Sequence, residues 1–220
     1  MHVRNREQAI EELHSIDDLI RWSVSQLNQS DVYYGHGTDN PIDETRALLS
    51  YALQLTTEQL AAMGHCRVLT SEKHEFIELL NQRIEHKMPA AYLTHQAYFA
   101  GLPFYVDERV LVPRSPIAEL IENGFQPWLT KQPKRVLDLC TGGGCIAIAC
   151  AYAFPDAEVD ALDVSTEALE VAEFNIEQHG LLHQVTPIQS DLFDAVQNEK
   201  NDLIVTNPPY VDAEDMADLP

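Results

Sequence analysis

The chain has 220 residues, 45% of them hydrophobic, and a formal charge of −21, enough apolar content for a core in one or two domains. No apolar run approaches the roughly 20 residues of a membrane span, and Met1-His-Val-Arg-Asn-Arg-Glu7 lacks the apolar stretch of a secretory signal. Cys66, Cys140, Cys145 and Cys150 form no CxxC pair, so no metal site is expected and the thiols read as free and buried, in a reduced cytoplasm.

Residues 1–95 read as helical. Ile16, Leu19, Ile20, Val24 and Leu27 recur at helical spacing and predict an amphipathic helix over 14–28. After the loop Tyr33-Tyr-Gly-His-Gly-Thr-Asp-Asn40, Asn40 is a cap, Pro41 a first helical residue, and Asp43 and Glu44 complement the first turn. A third helix is expected from Thr57 to Met63, stopped by Gly64. A fourth runs from Thr70 or Ser71 to Pro89 with His86 and Lys87 in its last turn. The histidines of this stretch form no HxxxH or HxH pair, so His36 and His95 read as loop or packing residues. A helical module carrying no chemistry most simply recognises a substrate.

Residues 96–134 change period. Ala97–Val106 is aromatic and β-branched around Gly101-Leu102-Pro103, which predicts a β-hairpin. Leu111-Val-Pro-Arg-Ser-Pro116 leads to a helix with Ser115 as cap and Pro116 as first residue, ending at Gly124, and residues 126–134 form a linker.

From Arg135 strands and helices alternate. Strands are expected over 135–140, 159–163, 185–189 and 203–206, which on a parallel sheet means a doubly wound α/β fold. Leu203-Ile-Val205 reads as a strand buried on both faces. From Asp156 onward there are sixteen acidic residues and one basic one, Lys200. Such a surface repels phosphate backbones and attracts a basic protein partner, unless it serves only solubility. A glycine turn, three aspartates and the Asn207–Tyr210 loop fall at carboxyl strand ends, where open α/β sheets bind ligands. The turn Thr141-Gly-Gly-Gly144 lets a ligand approach backbone and helix N-terminus. Asp138, Asp163 and Asp191 can accept from ribose hydroxyls or an adenine amino group, although Asp191 also suits a helix cap. Asn207-Pro-Pro-Tyr210 is a stiff loop whose Asn207 amide oxygen, Pro208 carbonyl and Tyr210 ring suit a planar NH2 group. Gly142-x-Gly144-x-x-Ala147 by itself also fits a dinucleotide-binding turn, with Asp163 about 20 residues on.

Taken together, these motifs resemble the class I S-adenosylmethionine-dependent methyltransferases, and Asn207–Tyr210 resembles members that act on amide or exocyclic amino nitrogens. The helical module, Val-Pro-Arg-Ser-Pro116, Asp138-Leu-Cys-Thr-Gly-Gly-Gly-Cys-Ile-Ala147 and the Asn-Pro-Pro-Tyr loop resemble the protein-glutamine N5-methyltransferases. Val32–Pro41 and the lead-in are similar to the branch modifying large-subunit ribosomal protein L-three rather than peptide-chain release factors. The resemblance implies S-adenosylmethionine held by Asp138, Thr141, Gly142, Gly144, Asp163, Asp191 and Asn207. It also implies substrate binding by Arg114, Asn207, Pro208 and Tyr210, the last three in catalytic positions. Two residues depart from the pattern: Cys140 stands where a first glycine is usual and Gly143 where serine is common. The resemblance implies seven strands; four are read before Pro220, so the chain is expected to be a fragment with its fourth strand as a bare edge. An adenine-N6 DNA methyltransferase shares the loop but needs a basic groove, and a non-catalytic adenosyl-binding module is the other alternative.

Overall fold

Residues 3, 5–35 and 37–209 are described by the structure, a computed structural model; His36 and Tyr210 lie outside them. The chain forms two compact units, Met1–Gln96 and Ala97–Pro220.

In the first unit, helices begin where side chains accept the amide protons a first turn leaves unpaired. Ser15 and Asp18 cap α2 (Ile16–Asn28) reciprocally; α1 (Arg6–Glu12) precedes it. Asn40 accepts from Ile42 and Asp43 at 3.0 Å to start α3 (Pro41–Leu53). Thr56 and Gln59 form a second reciprocal cap on α4 (Thr57–Ala62). Leu19, Leu48, Leu49, Phe76 and Leu80 are fully buried where α2, α3 and α5 (Thr70–Glu85) meet. A sixth helix, α6 (Ala90–Thr94), follows Pro89.

Three expectations are corrected here. The fourth predicted helix ends at Glu85, not Pro89: His86 is its C-cap, and Lys87 lies beyond it at φ +56°, 3.0 Å from Asp31. The basic residue of its last turn is Arg83. The third predicted helix ends at Ala62 with Met63 as its C-cap, one residue before Gly64.

Arg83 and Glu44 form an ion pair with side chains only 3% and 2% exposed. Thr38 donates to Glu44, and Arg83 donates to the Tyr33 carbonyl at 2.7 Å. The aromatic loop therefore hangs from a buried charge pair joining α3 to α5.

The second unit opens with antiparallel β1 (Ala97–Phe99) and β2 (Leu102–Phe104). Their turn is Ala100-Gly101, at φ +48° and +73°, the left-handed pair of a two-residue hairpin. Leu102 and Pro103, expected within the break, belong to β2. In α7 (Ile117–Glu122), Pro116 is the cap rather than the first residue, and Ser115 Oγ accepts from Ile117 at 3.3 Å.

The sheet comprises β3 (Arg135–Leu139), β4 (Glu158–Asp163), β5 (Val185–Gln189) and β6 (Leu203–Thr206), with α8 (Cys145–Ala153) and α9 (Thr166–Gln178) between them. Its order is β5-β4-β3-β6, all parallel, and the order reverses at β3, as a doubly wound α/β sheet requires. Asp202 fastens the start of β6 to β3, accepting from Lys134 and Arg135 at 2.8 and 3.1 Å; these backbone bonds hold its carboxyl below the usual range. Among the described residues β6 is an edge strand. Val205 is buried but Ile204 is 50% exposed, which corrects the expectation of burial on both faces.

Removing one partner of a buried pair strands the other charge in a desolvated site. Arg83→Met should destabilise the first unit by about 3–5 kcal/mol, and adding Glu44→Leu should recover most of that loss. Urea unfolding of the single and double variants measures both.

Candidate functional site

At the switch point the register sets Leu139 opposite Thr206, so the turn after β3 and the loop after β6 leave the sheet side by side. Thr206 Oγ1 donates to the Leu139 carbonyl at 2.7 Å and locks the two ends together. The turn runs through three left-handed residues, Cys140 at φ +63°, Gly142 at +54° and Gly144 at +80°. Cys140 therefore occupies a conformation that suits glycine, and the turn accommodates it. Thr141 N–H donates to the Leu162 carbonyl at 2.8 Å, tying the turn to β4.

Gly144 is required twice over, by its φ and because a Cβ would sit 3.3 Å from that of Ala172. At Gly143 a Cβ would meet Val110, Val171 and Asn175 at 3.5–3.7 Å, ordinary contact, so the serine usual there would fit. Nothing lies within 4 Å of a Cβ built on Gly142, which leaves its backbone approachable.

Asp138 anchors the turn from below. It is fully buried in β3, and its Oδ2 accepts from Thr141 Oγ1 at 2.6 Å and Ala147 N–H at 3.0 Å. Its Oδ1 is buried without a hydrogen-bond partner. Burial pushes its carboxyl up to about 7, and the nearby Asp163 charge adds to the rise against the two hydrogen bonds.

Asp163, half-buried at the end of β4, accepts from Gly142 N–H at 2.9 Å through Oδ2 and from Ser165 N–H at 3.0 Å through Oδ1. It thus shapes the turn as well as facing the strand ends. Asp191 is exposed. The side chain that ties the turn after β5 is Ser190, accepting from Ala195 at 3.0 Å and donating to the Leu192 carbonyl at 2.8 Å. Asn207 is half-buried, Pro208 exposed, and Arg114 exposed ahead of α7; Tyr210 lies outside the described residues. The structure thus brings Asp138, Thr141, Gly142, Gly144, Asp163 and Asn207 to one edge of the sheet.

Sequence reasoning missed Ser190, Thr206 and Asn175. The available signal for Asn175 was a polar residue on the apolar face of α9, among Ala168, Val171, Ala172 and Ile176. Cys66 is exposed rather than buried, and Cys140 and Cys145 are partly covered. Burial raises the Cys145 thiol to about 12 and the Cys150 thiol further. No cluster among the described residues could hold a metal ion.

Residues 124–219 match the family model of the methyltransferase small domain, and residues 18–94 match that of the PrmC N-terminal domain. A ribosomal protein uL3 glutamine methyltransferase from Neisseria gonorrhoeae is 47% identical over 97% of this chain and 72% of its own length. The protein of the same name from Neisseria meningitidis serogroup B is 46% identical over 97% of this chain and 71% of its own. The chain belongs to this methyltransferase family. Among solved structures, the tRNA m1G37 methyltransferase of M. jannaschii is 25% identical at a TM-score of 0.41, over 52% of this chain and 34% of its own.

The methyl donor is S-adenosylmethionine, and the residues present fit it. An approachable Gly142 backbone admits a ligand against the turn, and two carboxylates, one with an unpartnered buried oxygen, suit a ligand carrying hydroxyl and ammonium donors.

The raised Asp138 carboxyl makes stability fall with pH. An unfolded aspartate ionises near 3.9 and the buried one near 7, so the stabilising difference is present below pH 4 and lost as pH rises through 7. Asp138→Asn lacks this titration. The stability of wild type relative to the variant should drop by on the order of 4 kcal/mol from pH 4 to pH 8. Urea unfolding across that range measures it; a difference that does not vary with pH contradicts the assignment.

Proposed function

We propose that the chain transfers a methyl group from S-adenosylmethionine to the side-chain amide nitrogen of a glutamine in ribosomal protein uL3. The observation that carries this reading is the Thr206–Leu139 lock, which seats the Asn207-Pro208 loop beside the glycine turn. The names of the Neisseria relatives support uL3 as the substrate protein.

When bound, S-adenosylmethionine supplies a sulfonium methyl as electrophile. Thr141, Gly142 and Gly144 would hold it against the turn, Asp138 and Asp163 would accept from its donors, and Asp191 would accept from the adenine. The Asn207 amide oxygen and the Pro208 carbonyl accept the two hydrogens of the substrate amide. They draw density onto a nitrogen whose lone pair is otherwise delocalised, and they stabilise the positive charge that develops there. Tyr210 supports the amide plane and Arg114 the substrate backbone. No strong base is needed, because the nitrogen becomes acidic as it alkylates.

The net charge of −21 favours this reading over an adenine-N6 DNA methyltransferase. Helix α9 turns Glu167, Glu170, Glu173 and Glu177 to solvent, a surface that suits a basic ribosomal protein. No helix of the described residues is long and apolar enough to cross a membrane, and unpaired thiols support a cytoplasmic reaction.

Asn207→Ala should lower kcat by about 10²–10³ while cofactor affinity shifts far less, because the lost acceptor strengthens as charge develops. The measurement is mass gain on one uL3 glutamine with time; wild-type turnover in this variant would sink the mechanism. The on-rate for uL3 should fall steeply from low to physiological ionic strength if the acidic surface steers encounter. Stopped-flow association tests this, and a salt-independent rate would count against steering.

A further inference from the structure

Asn175 lies in the middle of α9, 2% exposed, where asparagine is a poor choice on helix propensity. Every polar atom of its side chain is nevertheless engaged. Its Oδ1 accepts from Tyr105 N–H at 2.8 Å, and its Nδ2 donates to the Tyr105 carbonyl at 3.1 Å and to the Gly143 carbonyl at 2.9 Å. The orientation of the amide is fixed by its partners, since Tyr105 N–H needs an acceptor and Gly143 O a donor.

One buried side chain thus bonds two stretches of backbone 38 residues apart, the segment leaving β2 and the middle of the glycine turn. Other contacts hold the same segment to α9. The Tyr105 ring meets Phe174 edge-on at 5.0 Å, and Arg109 pairs with Glu170 at 2.9 Å and with Asp107. The Arg109 guanidinium keeps the Asp107 carboxyl down at about 2, so this clasp stays charged near neutrality. Held this way, the segment brings Val110 over Gly143, where an added Cβ would be 3.5 Å from its methyl. Four residues later the same segment reaches Arg114.

We propose that Asn175 is a positioning residue that couples the cofactor turn to the 105–114 segment, so that ordering one orders the other. The proposal rests on the cofactor reading above. It assigns Asn175 no contact with substrate or cofactor: it acts by holding Gly143 and Tyr105 in one register. An amide donor shared between two carbonyls and an acceptor used by a third group leave no slack for either backbone to move alone.

Hydrogen exchange on the wild-type protein tests the coupling without any substitution. Adding S-adenosylhomocysteine should slow exchange at the Gly142 amide and, by at least severalfold, at the Tyr105 amide. Slowing at Gly142 with no change at Tyr105 would overturn the coupling and leave the cofactor site standing; slowing at neither would overturn both. A second measurement uses Asn175→Leu, which keeps the bulk and removes all three bonds. KM for S-adenosylmethionine should rise about tenfold, with kcat at saturating cofactor within about twofold, and ligand-induced slowing at Tyr105 should disappear. A variant that loses thermal stability but keeps the wild-type KM and the Tyr105 response would show a purely structural residue and overturn the proposal.

Discussion

A carboxylate with no access to water holds the catalytic unit in shape. Asp138 sits inside the central strand, and one of its oxygens takes both the Thr141 hydroxyl and the Ala147 amide. Those two bonds fix where the turn leaves β3 and where α8 begins. The turn can then follow its left-handed path and present the Gly142 N–H to Asp163. The desolvation this costs is visible in the raised Asp138 carboxyl. A leucine at that position would pack but could not bind the turn, because only an acceptor serves the hydroxyl and amide together.

The helical unit uses the same device for another end. Glu44 and Arg83 bury a full ion pair, and both reach out to the 33–38 loop, Glu44 through Thr38 and Arg83 through the Tyr33 carbonyl. Buried pairs contribute little net stability compared with apolar packing. What this one supplies is definition: a loop rich in glycine is given two fixed anchor points. Exposed charge is distributed differently, with the acidic excess concentrated after Asp156.

Much of this was legible before any coordinates. Asn40-Pro41 announced a helix because capping is a local event, decided by a side chain and amides two and three residues on. The strands of the sheet showed as short apolar runs, and Asp138, Asp163 and Asn207 stand toward one edge of the sheet, as their places in the sequence suggested. Helices α1 and α6 went unread: α1 buries only Ala9 and has no side-chain cap, while α6 is too short to show a period. Asp191 and Ser190 are adjacent, and only the folded turn reveals which one ties it. Asn175 shows locally only as a polar residue on the apolar face of α9; its partners lie 70 and 32 residues away, and no local pattern encodes them. The glycines of the turn announced a tight bend, but not that Cys140 shares the left-handed backbone of Gly142 and Gly144; there the turn imposes its geometry on a side chain that resists it.

The thiols offer a practical consequence. Cys150 is buried in α8, Cys145 and Cys140 are partly covered, and burial raises all three thiols, which lowers the thiolate fraction that alkylating reagents attack. Cys66 stands exposed beyond α4, in the other compact unit. A maleimide dye should therefore react with Cys66 ahead of these three thiols, giving a fluorescent beacon on the helical unit for following its encounter with a partner.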